Sequence, residues 1–203
     1  MNKSVAIGLM GGSFDPIHLG HIEIAQQAKD AMGLDQVWFI PTGRPPHKAH
    51  LGASAAQRLE MTRLAVEDLP WAKACDVEVF REGTIYTVDT LGLLTAQHPG
   101  VQFYYIIGAD TLVDLPNWRN TQKVCTLCEF ICLRRPGISN ETVEKAKQRM
   151  ITDYDKNVFV MDASGPDLSS TEIRRCIVNG LSTQHMLPEK ARTYIDRENL
   201  YRS

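Results

Sequence analysis

Apolar residues in this chain fall into short, nearly unbroken runs separated by longer stretches in which they recur every third or fourth position. The runs "SVAIGLM" (Ser4 to Met10), "QVWFIP" (Gln36 to Pro41) and "VQFYYIIG" (Val101 to Gly108) suit strands buried on both faces. Between them, "LGHIEIAQQAKDAM" (Leu19 to Met32, stopped by Gly33), "SAAQRLEMTRLAVED" (Ser54 to Asp68) and "TVDTLGLLTAQH" (Thr87 to His98) carry the helical period. "CDVEVF" (Cys75 to Phe80) reads as a shorter, more polar strand. The second half continues with "KVCTLCEFICLRRPG" (Lys123 to Gly137) as a strand ending in basic residues and "NETVEKAKQRMITDY" as a helix. "NVFVMD" follows as a strand, "SSTEIRRCIVNG" as a helix closed by Gly180, and "LPEKARTYIDREN" as a short final helix after Pro188.

This alternation predicts an α/β fold: a Rossmann-like, doubly wound, mainly parallel sheet with helices on both faces and a short C-terminal helical segment. Ligands of such sheets bind at the carboxyl ends of the strands, where Gly11, Pro41, Gly108 and Arg135 would stand. No internal repeat, low-complexity tract or linker divides the chain, so residues 1–203 are expected to form a single domain.

Composition narrows the function without choosing it. A chain of 203 residues buries about 70% of the surface its unfolded form would expose, so no metal or disulfide staple is required. A formal charge of −2 carries no excess of either sign, so the chain as a whole does not advertise nucleic-acid or membrane-surface binding, and any phosphate site must be local. No apolar run approaches the roughly 20 residues that span a bilayer, and the N-terminus lacks the apolar stretch and cleavage site of a secretory signal. A cytoplasmic protein without a membrane or nucleic-acid partner is expected; whether it is a homo-oligomer is left open. The five cysteines are odd in number. Cys125, Cys128 and Cys132 lack a nearby fourth ligand, so they read as buried thiols, with Cys128 and Cys132 on one strand face and Cys125 on the other.

Two segments carry candidate chemistry. In "GGSFDPIHLGH" (Gly11 to His21) the glycines let the backbone turn tightly after the first strand and approach a ligand, and the helix beginning near Leu19 offers unpaired N–H groups to an anion. His18 and His21, three apart across that helix start, can donate to the same anion. Two histidines bracketing Leu-Gly outweigh a simple turn and cap. A dinucleotide oxidoreductase is disfavoured because the G-x-G-x-x-G fingerprint is absent and "IPTG" brings no acidic residue for a ribose. In "LSSTEIRR" (Leu168 to Arg175) Ser169 and Glu172 fit a capping box. Three consecutive hydroxyls with Arg174 one turn inside suit phosphate oxygens as well.

"GGSFDPIHLGH" resembles the signature of the nucleotidyltransferase superfamily that includes class I aminoacyl-tRNA synthetases, with His18 to His21 as its H-x-G-H element. "FDPIHLGH" is most similar to the bacterial nicotinate-nucleotide adenylyltransferase family, whose I-S-S-T-x-I-R element is matched by "LSSTEIR". The resemblance extends through "IPTGRPPHK", "IYTVDTL", "IIGADTLVDLPNW", "LRRPG" and the C-terminal "LPEKARTYIDRENLY".

It implies adenylyl transfer from ATP, with nucleotide-bound Mg2+, to nicotinate mononucleotide. Gly11, Gly12, Ser13, Phe14, His18, His21, Gly108, Asp110, Ser169, Ser170, Thr171 and Arg174 would then bind ATP, the helices from about residue 168 onward completing that site. Arg44, His47, Lys48, Thr87, Trp118 and Arg135 would bind the acceptor. Trp118 would stack on the pyridine ring, while backbone N–H groups at Thr87 and just after Trp118 hold the carboxylate. His18, His21, Lys48 and Arg174 would act on the transferring phosphates, with no protein-held metal. Backbone donors favour the acid over nicotinamide mononucleotide, whose amide NH2 would face another donor. The phosphopantetheine adenylyltransferase of coenzyme A synthesis, a synthetase fragment and a non-catalytic nucleotide-sensing module are the rival readings. The first lacks the "YTVDTL" and "PNW" segments, the second would need a tRNA-binding region, and the third could dispense with His18, His21 and Arg174.

Overall fold

A computed structural model describes residues 4–43, 51–134 and 137–202. Six strands form one sheet: β1 (Ala6–Gly12), β2 (Gln36–Pro41), β3 (Ala72–Ala74), β4 (Gln102–Gly108), β5 (Glu129–Arg134) and β6 (Val158–Asp162). Their order is β3-β2-β1-β4-β5-β6, the arrangement of a Rossmann-like doubly wound fold, in which the chain winds outward one way from β1 and then the other way from β4. β1 pairs with β4, β4 with β5 and β5 with β6, all in parallel, with Ala6 opposite Gln102, Tyr104 opposite Glu129 and Phe130 opposite Val158.

The helices are α1 (Leu19–Met32), α2 (Ala55–Val66), α3 (Thr87–Gln97), α4 (Ala109–Asp114), α5 (Thr121–Leu127), α6 (Asn140–Tyr154), α7 (Ser170–Val178) and α8 (Glu189–Arg197), with a 3-10 turn at Leu115–Asn117. α1 and α6 keep the bounds their sequence patterns predict. Gly33, at φ 60°, follows α1 in the left-handed conformation that ends helices.

The described residues gather into two compact units, one drawn from 1–10, 25–37 and 86–164 and the other from 11–24, 38–85 and 165–203. The first is built on β4 and β5, whose Phe103, Ile106, Phe130, Ile131 and Cys132 are buried beside Val143 and Met150 of α6. The second buries Phe14, Ile17, Phe39, Leu59 and Met61 together with Ile173 of α7 and Ile195 of α8. Here Lys190 of α8 reaches Glu67 and Asp68, just past α2, at 2.7 and 2.8 Å.

Three local expectations change. The strand expected over Cys75 to Phe80 lies earlier, at β3. Cys75 N–H donates to Phe39 O at 2.8 Å, and the chain then folds into turns through Val79 N–H to Asp76 O and Arg81 N–H to Glu78 O. Glu78 is buried, where apolar–polar alternation would turn it outward, and Phe80 is 71% exposed. The long strand expected from Lys123 divides into α5 and β5. Thr121, Val124 and Cys125 are buried at helical spacing, and Thr121 Oγ1 shares its hydroxyl between Leu115 O and Trp118 O at 3.0 and 2.9 Å. Cys125 therefore lies on a helix, Cys128 at its end and Cys132 on the strand, so the three never share a strand; all five cysteines are free and buried. Finally, α4 buries Ala109 and Leu112 where no element was expected.

Candidate active site

The first candidate segment occupies the second unit. Gly12 ends β1, and a β-carbon there would lie 2.9 Å from the ring of Phe14. Its bare backbone therefore admits that ring, whatever ligand also approaches. Phe14 is 1% exposed with φ at 46°, and its ring meets His21 edge-on, centroids 5.1 Å apart. His18 is buried, and the His18 and His21 rings stack at 3.6 Å with planes 26° apart. The His18 N–H donates to His21 Nδ1 at 3.2 Å. With Nδ1 accepting, the neutral imidazole of His21 carries its proton on Nε2, which becomes a fixed donor.

Asp15, 2% exposed, anchors the turn. Its carboxylate accepts from Gly52 N–H at 2.8 Å, Ala53 N–H at 3.0 Å and Tyr201 O–H at 2.8 Å. Its carbonyl accepts from Arg174 Nη1 at 2.7 Å, and the neighbouring Pro16 carbonyl accepts from Ser170 Oγ at 2.9 Å. The start of α7 is thus tied to the Asp15–Pro16 turn across more than 150 residues of chain.

The three consecutive hydroxyls have different uses. Ser169 is the N-cap, its Oγ accepting from Glu172 N–H at 3.1 Å, which leaves its hydroxyl proton to donate. Ser170 donates its hydroxyl to the Pro16 carbonyl. Thr171 Oγ1 accepts from Arg174 Nη2 at 3.3 Å, so its own proton also stays available.

Arg58 belongs to no motif that marks it in the sequence. It is 1% exposed and gives Nη1 to Ser13 O at 2.6 Å and Nη2 to Thr42 O and Gly43 O at 2.6 and 3.0 Å. It thereby joins the turn after β1 to the turn after β2. Burial lowers its pKa, opposed by the nearby Asp15, Tyr201 and Glu78. Its helical spacing from the buried Thr62 and Ala65 is the signal the sequence offers for its burial. Beside it lies a cavity of about 650 Å³ lined by Gly43, Ser54, Arg58, Phe80 and Arg81 among others.

The remaining expected residues divide. Thr87, Gly108, Asp110 and Trp118 belong to the first unit; Arg44, His47, Lys48 and Arg135 lie outside the described residues. Tyr86, and not Thr87, is the N-cap of α3 and makes no side-chain cap bond. The N–H of Thr87, in the first turn, therefore needs a partner from outside the helix. Trp118 is half-buried, edge-on to Tyr105 with centroids 5.9 Å apart. Arg119, the next residue, stacks its guanidinium 4.5 Å over the Tyr86 ring, bringing the segments of Thr87 and Trp118 together. Asp110 stands in the first turn of α4, where a β-carbon on Gly108 would meet its Oδ1 at 2.6 Å. Arg134 is held by both Asp162 oxygens at 2.9 and 3.0 Å.

A family model described as cytidylyltransferase-like matches residues 9–176. A probable nicotinate-nucleotide adenylyltransferase of Shewanella frigidimarina is 36% identical over 209 residues, covering 97% of this chain and 99% of the relative. One of Exiguobacterium sibiricum is 40% identical, covering 96% and 98%. Among solved structures, the Plasmodium falciparum nicotinic acid mononucleotide adenylyltransferase complexed with NaAD superposes with a TM-score of 0.76 at 22% identity, covering 97% of each chain. That likeness bears on the fold.

Proposed function

The chain belongs to the cytidylyltransferase-like family and to the nicotinate-nucleotide adenylyltransferases within it, and from that premise we propose that it transfers the adenylyl group of ATP to nicotinate mononucleotide. The products are nicotinate adenine dinucleotide (deamido-NAD) and pyrophosphate. One observation carries the site assignment: Arg174 and Ser170 of α7 bond consecutive carbonyls, Asp15 and Pro16, within the histidine-bearing segment. The two elements suited to phosphate are thereby locked together in one unit.

The 5′-phosphate oxygen of nicotinate mononucleotide attacks the α-phosphorus of ATP in line; the new P–O bond forms as the bond to pyrophosphate breaks. Two like charges about 4 Å apart repel by roughly 4 kcal/mol at an effective dielectric near 20, so donors and cations must surround the phosphates. His21 Nε2–H, His18, the free hydroxyl protons of Ser169 and Thr171, and the guanidinium of Arg174 supply them, with Lys48 assigned the same task from the family resemblance of its segment. Gly11, Gly12, Ser13 and Phe14 shape the turn these groups stand on. Gly108 and Asp110 are assigned to the ATP ribose. Positioning and electrostatic stabilisation are then the protein's contribution.

Among the described residues no three His, Cys, Asp or Glu side chains gather as metal ligands. Mg2+ is accordingly assigned to the ATP polyphosphate as part of the substrate, where it neutralises charge. Trp118, half-open, offers its face to the pyridine ring. The Thr87 N–H and the N–H of Arg119 are assigned to the carboxylate, with Arg44, His47 and Arg135 near the nucleotide. Among the described residues no helix is long and apolar enough to cross a membrane, which agrees with a cytoplasmic biosynthetic role.

Pyrophosphate release with Mg·ATP, offering nicotinate mononucleotide, nicotinamide mononucleotide and phosphopantetheine side by side, tests the reading. Preference for the acid is expected. Release with none of the three would leave a nucleotide-sensing module; preference for either other acceptor would replace the substrate assignment.

A further inference from the structure

Arg119 carries a charge that the fold places but does not neutralise. Its guanidinium lies 4.5 Å over the ring of the half-buried Tyr86, within the range at which the negative face of an aromatic ring holds a cation. Residue 119 is itself exposed, and among the described residues its side chain forms no ion pair and no hydrogen bond. Arg197, which stands over Tyr194 at 5.2 Å, is by contrast paired with Glu198 at 2.9 Å. Arg119 thus keeps its full charge and its planar set of donors, held in one place by an aromatic face.

The backbone around the stack decides what that charge can act on. Tyr86 is the N-cap of α3, and its carbonyl accepts from Asp89 N–H and Thr90 N–H at 2.9 and 3.2 Å. Trp118 is fixed from both sides, its N–H donating to Leu115 O at 3.1 Å and its carbonyl accepting from Thr121 Oγ1 at 2.9 Å. Among the described residues neither Thr87 N–H nor Arg119 N–H has a partner in the protein. One of these open donors adjoins the tyrosine in the chain, and the other belongs to the arginine stacked on it. An arginine side chain reaches about 7 Å from its own nitrogen and a hydrogen bond adds about 3 Å. An anion received by Arg119 N–H therefore lies within about 10 Å of the guanidinium, roughly the Debye length at 0.1 M ionic strength.

We propose that Arg119 is a charge-selecting residue of the acceptor site: its guanidinium, positioned by the Tyr86 ring, attracts the carboxylate on the pyridine ring and widens the preference for the acid over the amide. Open N–H groups select by hydrogen-bond polarity, whereas a fixed cation selects by charge, which a neutral carboxamide does not carry. The phosphate common to both acceptors feels the cation equally, so its share cancels in their ratio. The proposal rests on the assignment of the Thr87 and Arg119 N–H groups to that carboxylate.

Arg119→Met keeps the backbone N–H and an unbranched apolar side chain for the Tyr86 ring, and removes the charge. At saturating Mg·ATP, the ratio of kcat/KM for nicotinate mononucleotide to kcat/KM for nicotinamide mononucleotide should fall about threefold to tenfold, chiefly through a higher KM for the acid, while KM for ATP changes less than twofold. Arg119→Lys, which retains a cation, should keep most of the wild-type ratio. Tyr86→Leu should lower the ratio in the wild-type background and change it less than twofold beside Arg119→Met, because the group it positions is gone. Thermal melting identifies any variant that fails to fold. An unchanged ratio in Arg119→Met, equal losses toward both acceptors, or a loss as large in Arg119→Lys overturns the proposal. Wild-type protein that turns over neither acceptor, or both equally, removes the carboxylate assignment and this proposal with it; a wild-type preference that survives in Arg119→Met removes the proposal alone.

Discussion

His21 is defined by what its two nitrogens can do. The His18 N–H occupies Nδ1, while Phe14 on its edge and His18 on its face hold the ring, so Nε2–H is preorganised as a donor. Such donors lower a barrier because they are not reoriented during reaction. His21→Ala should therefore reduce turnover on the order of 10²–10³-fold with Mg·ATP still bound, as read by single-turnover kinetics beside an ATP-binding titration. Near-normal turnover would remove His21 from the mechanism. Gly12 carries a second lesson at this scale: space expected for a ligand is also space for the Phe14 ring, a contact invisible until the turn is folded.

At the scale of the element, α7 is the clearest case. It begins with Ser169 accepting from Glu172 N–H at 3.1 Å, and Ser169→Ala should cost about 1 kcal/mol, a drop of roughly 2–4 °C in melting temperature for a protein of this size. A melting temperature within experimental error of wild type would deny the cap its role. The cap was legible from Ser169 and Glu172 alone, and so were α1 and α6, because each repeats its period over enough residues to exclude the alternative, with β4 and β6 legible as apolar runs set between helices. Where a pattern was short, it misled. "CDVEVF" alternates as a strand does, yet turn bonds to the Asp76 and Glu78 carbonyls bend it, and the apolar run from Lys123 concealed a helix because Val124 and Cys125 satisfy either reading. Within the candidate site, histidines and hydroxyls announced themselves by motif. Arg58, Asp15 and Tyr201 did not, since their partners are backbone carbonyls, amides or a side chain up to 186 residues away, and such pairings exist only after folding.

Across the whole molecule, the buried thiols make stability depend on alkaline pH. Desolvation raises Cys75, Cys125, Cys128 and Cys132, with Cys132 pushed up to about 11 from 9.0. Above pH 9 the unfolded chain therefore releases thiol protons that the native chain retains. The native state binds more protons, so unfolding becomes easier as pH rises. The thiol contribution is complete below about pH 9 and, for Cys132, is lost progressively until the native thiol itself ionises near 11. Each thiol held in this way weakens stability by about 1.4 kcal/mol per pH unit at most within that window. Urea unfolding midpoints should accordingly fall between pH 8 and pH 10, and Cys132→Ala, whatever it does to the midpoint at pH 8, should show a shallower fall. A midpoint that is flat or rising over this range, or a slope unaltered in Cys132→Ala, would mean that these thiols do not govern the alkaline limb. The same burial keeps Cys75, Cys125, Cys128 and Cys132 out of phosphoryl chemistry: a thiol whose pKa is raised in this way offers no thiolate at neutral pH to compete for the α-phosphorus.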